Sequence, residues 1–436
     1  MQGYSSMEIF YESRQEVPVA EACDVIVCGG GPAGAAAAVA AARAGARTRL
    51  FEMHGCLGGT WTSGLLSWIL DVANKPGLMA EIIAECKRRG AYAPRGGTDF
   101  AYDVEAMKLL LEDLCGAAGV RLHYFTHVVA AVRGKDNRLA LVVTESKSGR
   151  QAWRAAAFID ATGDGDLGAQ AGCGYGLGRE DTGQCQPMSL ECHFIGVRAA
   201  DIEPFIGGGQ AEPKRRLLAE MARAGVEPSY HAPTIFRIRD DLFCLAANHQ
   251  YKVLATDAAG ITQATIEARA ELHRLVEALR RLGPPWAEMR IVATGEQIGV
   301  REGRRIHGLY RVTIDDLVEG RSHEDGICNV RFPIDVHAVD PARSKGFDSA
   351  GKRARPYDVP LRALIAKDVD GLLMAGRCIS GDFLAHSSYR VGGDAVTTGQ
   401  AAGVTAALAA KSGRTPREVP WADVKAAIGQ LAALPK

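Results

Sequence analysis

The chain has 436 residues, of which 47% are hydrophobic, with 51 basic and 51 acidic side chains. This length favours two packed domains, and a formal net charge of zero argues against a nucleic-acid-binding protein. No segment reaches the roughly 18 apolar residues of a membrane span, and the acidic start lacks the apolar segment of a secretory signal. The eleven cysteines include no Cys-x-x-Cys pair, so we expect a cytoplasmic protein with reduced thiols and no metal site.

The first regular elements form a predicted βαβ unit. Residues 24–29 (DVIVCG) are apolar and β-branched, which predicts a buried strand. Residues 32–44 are nearly all alanine and predict a helix with proline in its first turn. Residues 47–52 (RTRLFE) then predict a second, parallel strand.

The turn between the first strand and the helix has the sequence GGGPAG, which fits G-x-G-x-x-G. Gly29 permits the tight turn, Gly31 lets the main chain approach a pyrophosphate, and Gly34 allows close packing of helix and strand. Pro32 and Ala33 begin the helix, whose free N–H groups and positive dipole favour that pyrophosphate. Because the motif lies between a strand and a helix, it indicates a dinucleotide site rather than an unliganded turn.

Glu52 and Met53 follow at the end of the second strand. An acidic side chain at this place accepts hydrogen bonds from ribose hydroxyls and disfavours a 2′-phosphate. Soon afterwards Gly58, Gly59 and Thr60 begin the loop LGGTWTSG, which would let the main chain pass the riboflavin side of a dinucleotide. An NAD-only domain has no need for such a loop, so the segment favours FAD, with an ordinary glycine-rich turn as the alternative.

Farther along, helical periodicity and short β-branched runs alternate. We expect an α/β fold with two domains. The first is a discontinuous, Rossmann-like FAD-binding domain (1–173 and 336–436), whose parallel sheet holds an inserted three-stranded β-meander. The second is an α+β substrate domain (174–335). Residues 339–357 are polar and rich in turn formers, which predicts a surface loop. The other predicted helices are 76–90, 103–117, 213–224, 262–282 and 396–410, and the other predicted strands are 120–125, 127–133, 138–145, 152–160, 190–197, 234–238, 242–247 and 371–375.

Four blocks of the chain carry a family resemblance. They are DVIVCGGGPAGAAAA with Glu52 and LGGTWTSG, FIDATGDGDLGAQAG (158–172), IGVREGRRIHGLYRVT (298–313) and the segment 372–409, which starts LLMAGRCISGDFLAHSSYRV. In this order they resemble the FAD-dependent oxidoreductase family of the glutathione-reductase-like flavoproteins. The flavin subunit of heterodisulfide reductase and, more remotely, fumarate reductases are relatives. The resemblance implies FAD and an oxidoreductase activity, and it leaves the substrate open.

The resemblance also implies positions around the cofactor. It assigns Val128 to the adenine, Ala161, Gly163 and Asp164 to the ADP moiety, Gly376 and Arg377 to the ribityl chain and pyrophosphate, and Gly399, Gln400 and Ala401 to a helix start at the flavin pyrimidine edge. A positive helix end there would stabilise the negative charge of reduced flavin.

Three side chains are candidates for contact with the substrate. His386 and Arg390 lie in the block next to the expected flavin ring. The histidine could accept a proton as hydride leaves for flavin N5, and the arginine could clamp a carboxylate or oxyanion. Arg301 could do the same or stabilise reduced flavin, with a structural pairing to acids such as Glu302 as the alternative. His193 and His249 are expected to be core histidines.

Two pairs of cysteines need an interpretation. Cys56 and Cys378 fall near the expected flavin loops, so a covalent flavin link competes with the simpler reading of buried thiols. Cys23 and Cys28 have the spacing of a redox disulfide, but they lie on the wrong side of the glycine-rich turn, which argues against a disulfide reductase.

The predicted function is a dehydrogenase or oxidase that transfers hydride from a small organic substrate to flavin N5. Its electrons would pass to oxygen, a quinone or a protein partner. A flavin electron-transfer subunit and a protein with a structural, non-redox FAD are the alternatives. The substrate, the acceptor and the oligomeric state, a homo-oligomer included, stay open.

Overall fold

The fold is described from a computed structural model for residues 10–12, 15–94 and 99–432. Its strands are β1 (Val19–Cys28), β2 (Thr48–Phe51), β3 (Trp68–Ile69), β4 (Tyr92–Pro94), β5 (Phe100–Tyr102), β6 (Arg121–His123), β7 (His127–Arg133), β8 (Leu139–Ser146), β9 (Gly149–Asp160), β10 (Tyr175–Gly176), β11 (Glu191–Ile195), β12 (Thr234–Arg239), β13 (Leu242–Ala246), β14 (Arg290–Thr294), β15 (Arg305–Ile306), β16 (Gly326–Val330), β17 (Tyr357–Pro360) and β18 (Leu372–Met374). Its α-helices are α1 (Pro32–Arg43), α2 (Leu78–Arg88), α3 (Val104–Ala118), α4 (Asp166–Gln170), α5 (Ala199–Ile202), α6 (Ala211–Arg223), α7 (Ala258–Arg280), α8 (Ile314–Glu319), α9 (Phe383–Tyr389), α10 (Gly392–Ser412) and α11 (Trp421–Ala432).

The largest sheet has seven strands in the order β6-β2-β1-β9-β8-β7, with β18 paired to β9. β6, β2, β1, β9 and β18 run parallel, so their carboxyl ends meet at one edge. β7, β8 and β9 form the predicted three-stranded meander, because β8 is antiparallel to both β7 and β9. The expected α/β fold with a mostly parallel sheet and an inserted meander is therefore confirmed.

Two helices of small residues cover this sheet next to the glycine-rich turn. α1 is almost entirely buried alanine, which keeps its backbone close to the strands. α10 packs along α1, where Gly399 and Gly403 face the main chain of Ala33 and Ala37. The helix predicted at 396–410 is longer than expected, since it begins at Gly392.

A second, antiparallel sheet has the order β12-β13-β11-β14 and packs with α6 and α7 around a separate hydrophobic core. This core includes residues from Met188 to Ile298, whereas Ile306 already packs in the core of the parallel sheet. A small sheet of β3, β5 and β4 joins the antiparallel sheet through a contact between Trp68 and Phe236. The division into two domains remains a prediction, with these cores as its structural counterpart.

Within the described residues, no helix has the length and apolar character needed to cross a membrane. Residues 339–356 contain no helix or strand, in agreement with the predicted loop, although Phe347 forms an isolated bridge with His337.

Candidate active site

A cavity of about 740 Å³ lies at the carboxyl ends of β1, β2 and β9 and extends to the antiparallel sheet. This is the edge of a parallel α/β sheet at which ligands usually bind. One end of the cavity is lined by glycine-rich turns, and the other by charged and aromatic side chains. The predicted site residues that line it are Gly29, Gly31, Pro32, Ala33, Glu52, Met53, Gly59, Thr60, Val128, Ala161, Gly163, Arg301, Gly376, Arg377 and Arg390.

The first glycine-rich turn has the geometry that its sequence predicts. Gly29 has φ of 95°, and a β-carbon there would lie 2.4 Å from the carbonyl oxygen of Ala161. A β-carbon on Gly34 would lie 1.8 Å from the carbonyl oxygen of Gly29, so this glycine allows α1 to pack on β1. A β-carbon on Gly31 would meet no described atom within 4 Å, which leaves open space above the start of α1. The turn therefore fits a bound pyrophosphate.

Glu52 holds this turn in place from the end of β2. One carboxylate oxygen accepts a hydrogen bond from the Gly30 N–H at 2.6 Å, and the other accepts from the His54 N–H at 2.8 Å. The side chain is only 5% exposed and lines the cavity. Glu52 thus orders the main chain around the position expected for a ribose, with further lone pairs left for a hydroxyl.

The second glycine loop lies directly on the first. The N–H of Gly58, at φ of 107°, donates to the carbonyl oxygen of Gly30 at 2.8 Å. A β-carbon on Gly59 would lie 3.3 Å from the α-carbon of Gly31. Gly59 and Thr60 line the cavity, while Gly58 supports the contact from behind.

Arg377 joins the end of β9 to the segment after β18. Its Nη1 lies 2.7 Å from Oδ1 of Asp164, and its Nη2 would be 2.5 Å from a β-carbon on Gly163. The N–H of Gly376 donates to Oγ1 of Thr398 at 3.1 Å. Asp164 is absent from the cavity wall as described, so its visible role is to position Arg377.

The predicted helix start at Gly399, Gln400 and Ala401 is wrong. These residues lie two turns inside α10 and are buried, with Gln400 Oε1 accepting from the Leu78 N–H at 2.8 Å. The end of α10 that faces the cavity is at Gly392. A β-carbon on Gly393 would lie 2.0 Å from the carbonyl oxygen of Asp71, so the small residues let the helix begin early against that loop.

His386 is not where a proton acceptor for this cavity would be. It lies on α9 with no exposed surface, its ring 5.6 Å from the ring of Tyr389. It is not among the described residues of the cavity wall. Burial, with the positive charges of Arg305 and Arg390, holds its pKa well below the usual value. The helical turns between Asp382 and Arg390 direct His386 into the core, whereas they leave Arg390 at the cavity.

Arg301 and Arg390 are the predicted substrate contacts that do reach the cavity. Arg301 Nη1 donates to the carbonyl oxygen of Pro187 at 2.7 Å and to Oγ of Ser189 at 2.8 Å. Arg390 Nη2 donates to the main-chain oxygen of Asp335 at 2.9 Å and lies 3.3 Å from its Oδ2. The alternative pairing of Arg301 with Glu302 is not found, because Glu302 binds Arg305.

The structure also brings to this end of the cavity a cluster that the sequence analysis missed. His337 Nε2 lies 3.5 Å from Oδ2 of Asp335, and its Nδ1 lies 3.0 Å from Nε2 of His249. The ring of Tyr230 is 4.1 Å from that of His249, and the ring of Phe347 is 4.9 Å from that of His337. The sequence around His337 carries no motif. Only the tertiary contact between His337 and the distant His249 reveals the cluster.

The expected core histidines differ in their surroundings. His193 is buried within 3.2 Å of the Leu65 carbonyl and the Ser67 hydroxyl, as a satisfied core residue would be. His249 is also buried, but it supports His337 from outside the cavity wall. It is therefore part of the site through its neighbour.

Burial and charge set the protonation of the inner cavity. Burial, followed by the positive charge of Arg301, lowers the pKa of His337 to about 4. Burial opposes ionisation of Asp335, but His337 and the arginines together lower its pKa. Burial raises the pKa of Glu191, another cavity residue, to about 7 against the influence of Arg301. At neutral pH the cavity thus holds a neutral histidine beside an ionised carboxylate.

Cys56 and Cys378 are free, as are all the cysteines, and neither lies in the described cavity wall. Cys378 donates to the main-chain oxygen of Asp160 at 3.3 Å and has no exposed surface. No group of three or more His, Cys, Asp or Glu side chains in the described ranges is arranged to hold a metal ion.

A parallel sheet with two glycine-rich turns at its carboxyl edge is the arrangement of a dinucleotide-binding domain. The sequence profile of FAD dependent oxidoreductases matches residues 24–428. The chain belongs to this family. The predictions of FAD, of an enzyme and of this family are therefore confirmed.

Comparison with curated proteins gives no match. Solved structures to which the chain is similar include a geranylgeranyl bacteriochlorophyll reductase-like protein from Thermoplasma acidophilum, with 14% identity over 95% of this chain and 88% of that one and a TM-score of 0.46. A myxobacterial chondrochloren halogenase has 15% identity over 94% and 79%, with a TM-score of 0.46. The anhydrotetracycline hydroxylase of Streptomyces rimosus has 12% identity over 94% and 66%, with a TM-score of 0.47.

Proposed function

We propose that the protein is an FAD-dependent dehydrogenase or oxidase that takes hydride from a small organic substrate bound at the inner end of the cavity. Bound FAD supplies the acceptor for that electron pair at flavin N5, and oxygen, a quinone or a protein partner receives the electrons afterwards. The observation that carries the proposal is one continuous cavity, with the glycine-rich turns at one end and Arg301 and Arg390 at the other.

The cofactor end of this cavity fits a dinucleotide on grounds of space and hydrogen bonding. The open volume beside Gly31 and the free N–H groups at the start of α1 suit a pyrophosphate. Met53 is 57% exposed at the rim, and Val128 lines the same region, which suits an adenine. The residues that would hold FAD are Gly29, Gly31, Pro32, Ala33, Glu52, Met53, Gly59, Thr60, Val128, Ala161, Gly163, Gly376 and Arg377.

Gly58, Gly34 and Asp164 would support the cofactor indirectly. Each of them shapes or anchors a residue of the cavity wall, as described above. The helix start that was predicted at Gly399 lies at Gly392. The positive end of the α10 dipole there favours negative charge in the cavity.

The substrate end favours an anionic group. Arg301 and Arg390 both line it, and the carboxylate of Asp335, whose pKa is lowered, lies 3.3 Å from Arg390. Glu191 has a pKa of about 7 and so does not carry a full negative charge at neutral pH. Two guanidinium groups against one full negative charge leave an excess of positive charge, which a carboxylate or oxyanion of the substrate would balance.

The test is anaerobic mixing of the purified, FAD-loaded protein with a panel of alcohols, hydroxy acids and amines, followed by absorption spectroscopy. We expect the flavin band to bleach with at least one anionic member, and to bleach more slowly in Arg390→Met than in the wild type. Arg281→Met, at an exposed position after α7, is the matched control. Turnover with a persistent yellow spectrum would contradict the proposal and favour a non-redox FAD.

A further inference from the structure

A chain of hydrogen bonds that starts at Ser229 favours one tautomer of His337. The carbonyl oxygen of Ser229 can only accept, so Tyr251 donates its single hydroxyl proton to it at 3.2 Å. The Tyr251 oxygen then accepts from Nδ1 of His249, also at 3.2 Å. Nε2 of a neutral His249 is therefore an acceptor, and it receives the Nδ1–H of His337 at 3.0 Å. A neutral His337 is left with an unprotonated Nε2.

This nitrogen faces a group that stabilises a proton on it. Nε2 of His337 lies 3.5 Å from Oδ2 of Asp335, so protonation there creates an ion pair. Burial and Arg301 keep the pKa of the free imidazole at about 4, so the base is unprotonated at neutral pH. His249 carries no positive charge either, because burial holds its pKa well below the usual value.

An anion-binding side chain lies next to this base. Arg390 Nη2 and His337 Nε2 approach the same oxygen of Asp335, at 3.3 and 3.5 Å, so the two nitrogens are neighbours. Nε of Arg390 is buried and has no hydrogen-bond partner among the described residues. A carboxylate held by Arg390 would thus have its adjacent carbon and substituent close to the base.

We propose that His337 Nε2 is the base that accepts the hydroxyl proton of a small 2-hydroxy carboxylate, whose carboxylate is held by Arg390 and Arg301. This inference rests on the proposed function and specifies its substrate class. The hydroxyl O–H bond breaks, and its proton moves to Nε2 of His337. The C2–H bond breaks with its electron pair, which FAD receives as hydride, and the C2–O bond becomes a carbonyl. The product is a 2-oxo carboxylate.

Asp335 and His249 are positioning residues in this scheme. Asp335 pairs with the imidazolium that forms, and His249 holds the ring with Nε2 unprotonated. The titratable and charged groups that face His337 are Arg301, Arg390, Asp335, His249 and Tyr230. A bound carboxylate adds negative charge among them and raises the affinity of Nε2 for a proton.

The first test measures anaerobic flavin reduction by glycolate, D-lactate, L-lactate and L-malate, with propane-1,2-diol as the analogue that lacks a carboxylate. We expect at least one hydroxy acid to reduce the flavin and the diol not to. His337→Gln should lower the rate constant of reduction by about 100-fold or more, with FAD retained and the melting temperature within a few degrees of the wild type. His273→Gln, at an exposed position of α7, should leave the rate unchanged.

The second test does not depend on turnover. Oxalate, which has no hydrogen to donate as hydride, is titrated calorimetrically into the FAD-loaded protein near pH 6 in two buffers of different ionisation enthalpy. The wild type should take up a proton as oxalate binds, because His337 is unprotonated in the free site. His337→Gln should bind oxalate without that uptake, and Arg390→Met should bind it at least about tenfold more weakly.

The outcomes separate this inference from the proposed function. Flavin reduction by alcohols or amines alone would overturn the substrate class but support a dehydrogenase or oxidase. An unchanged rate in His337→Gln, or oxalate binding without proton uptake in the wild type, would overturn the assignment of the base. No reduction by any compound of the wider panel would instead overturn the proposed function.

Discussion

Gly399 of α10 lies against the main chain of Ala33 at the start of α1, so closely that a β-carbon on the glycine would be 2.1 Å from the Ala33 carbonyl oxygen. Gly403 repeats this contact one turn later against Ala37. α10 is thus packed on α1, the helix that follows the first glycine-rich turn. This contact explains why the segment after residue 392 belongs to the parallel-sheet core.

The contact predicts that Gly399→Ala destabilises the protein. The added methyl group has no room against the main chain of Ala33, and overpacking of this kind costs about 1–3 kcal/mol. Differential scanning fluorimetry of the FAD-free protein should show a lower melting temperature. Gly429→Ala is the matched control, since a β-carbon there meets no described atom within 4 Å and helical alanine is favoured by about 0.5–1 kcal/mol. Equal melting temperatures for the two variants would refute the packing argument.

A second prediction separates cofactor binding from folding within the glycine-rich turn. Gly31 has φ of −63° and open space at its β-carbon, so Gly31→Ala should fold normally. The methyl group would occupy the space intended for the pyrophosphate, and FAD affinity should fall by at least about tenfold. Gly34→Ala should instead lose folded protein, because its β-carbon would be 1.8 Å from the Gly29 oxygen. Circular dichroism of the FAD-free protein and fluorescence titration with FAD measure the two effects, and wild-type FAD affinity in Gly31→Ala would be the contrary result.

A third prediction follows from the raised pKa of Glu191. Between pH 4.5, which is the ordinary pKa of a glutamate, and about pH 7, Glu191 is protonated in the folded protein but ionised in the unfolded chain. This stabilisation is therefore complete below pH 4.5 and is lost as pH rises through 7, by about 1.4 kcal/mol per unit in between. In Glu191→Gln the contribution is absent at every pH.

Melting temperatures of the FAD-loaded wild type and Glu191→Gln, measured from pH 4.5 to 8, check this sign. The melting temperature of the wild type minus that of Glu191→Gln should be largest at pH 4.5 and should fall steadily as pH rises to 7. Parallel curves across the whole range would mean that Glu191 ionises normally in its buried position.

A fourth prediction concerns the attachment of FAD. Cys378 is buried, and its thiol donates a hydrogen bond to a main-chain oxygen. Burial raises the pKa of this thiol well above the usual value. Cys56 is half-buried, and burial raises its pKa as well. Neither thiol is in the described cavity wall, so acid precipitation should release all of the yellow colour into the supernatant. Colour that stays with the precipitate, together with a flavin-bearing peptide, would establish a covalent link instead.

The amino-acid sequence was sufficient to predict the two glycine-rich turns that line one end of the cavity. Gly29, Gly31 and the loop after Glu52 are recognisable because the glycines serve the local main-chain conformation, although Gly29 also packs against Ala161 at the end of β9. The βαβ unit and the meander follow from hydrophobic periodicity in the same local way. Short-range patterns were therefore enough to predict the fold class. The family profile, which matches residues 24–428, agrees with that prediction.

The opposite end of the cavity, with Arg301 and Arg390, depends on tertiary packing. His386 and Arg390 are one helical turn apart, yet the packing of α9 buries the histidine and leaves the arginine in the cavity wall. His249 and His337 come from segments 88 residues apart, and neither segment has a pattern that pairs them. The helix predicted around Gly399 begins at Gly392 because Gly393 fits against Asp71, a contact between distant parts of the chain. Which side chain reaches a cavity is set by how separate elements pack, and a local sequence pattern holds no information on that geometry.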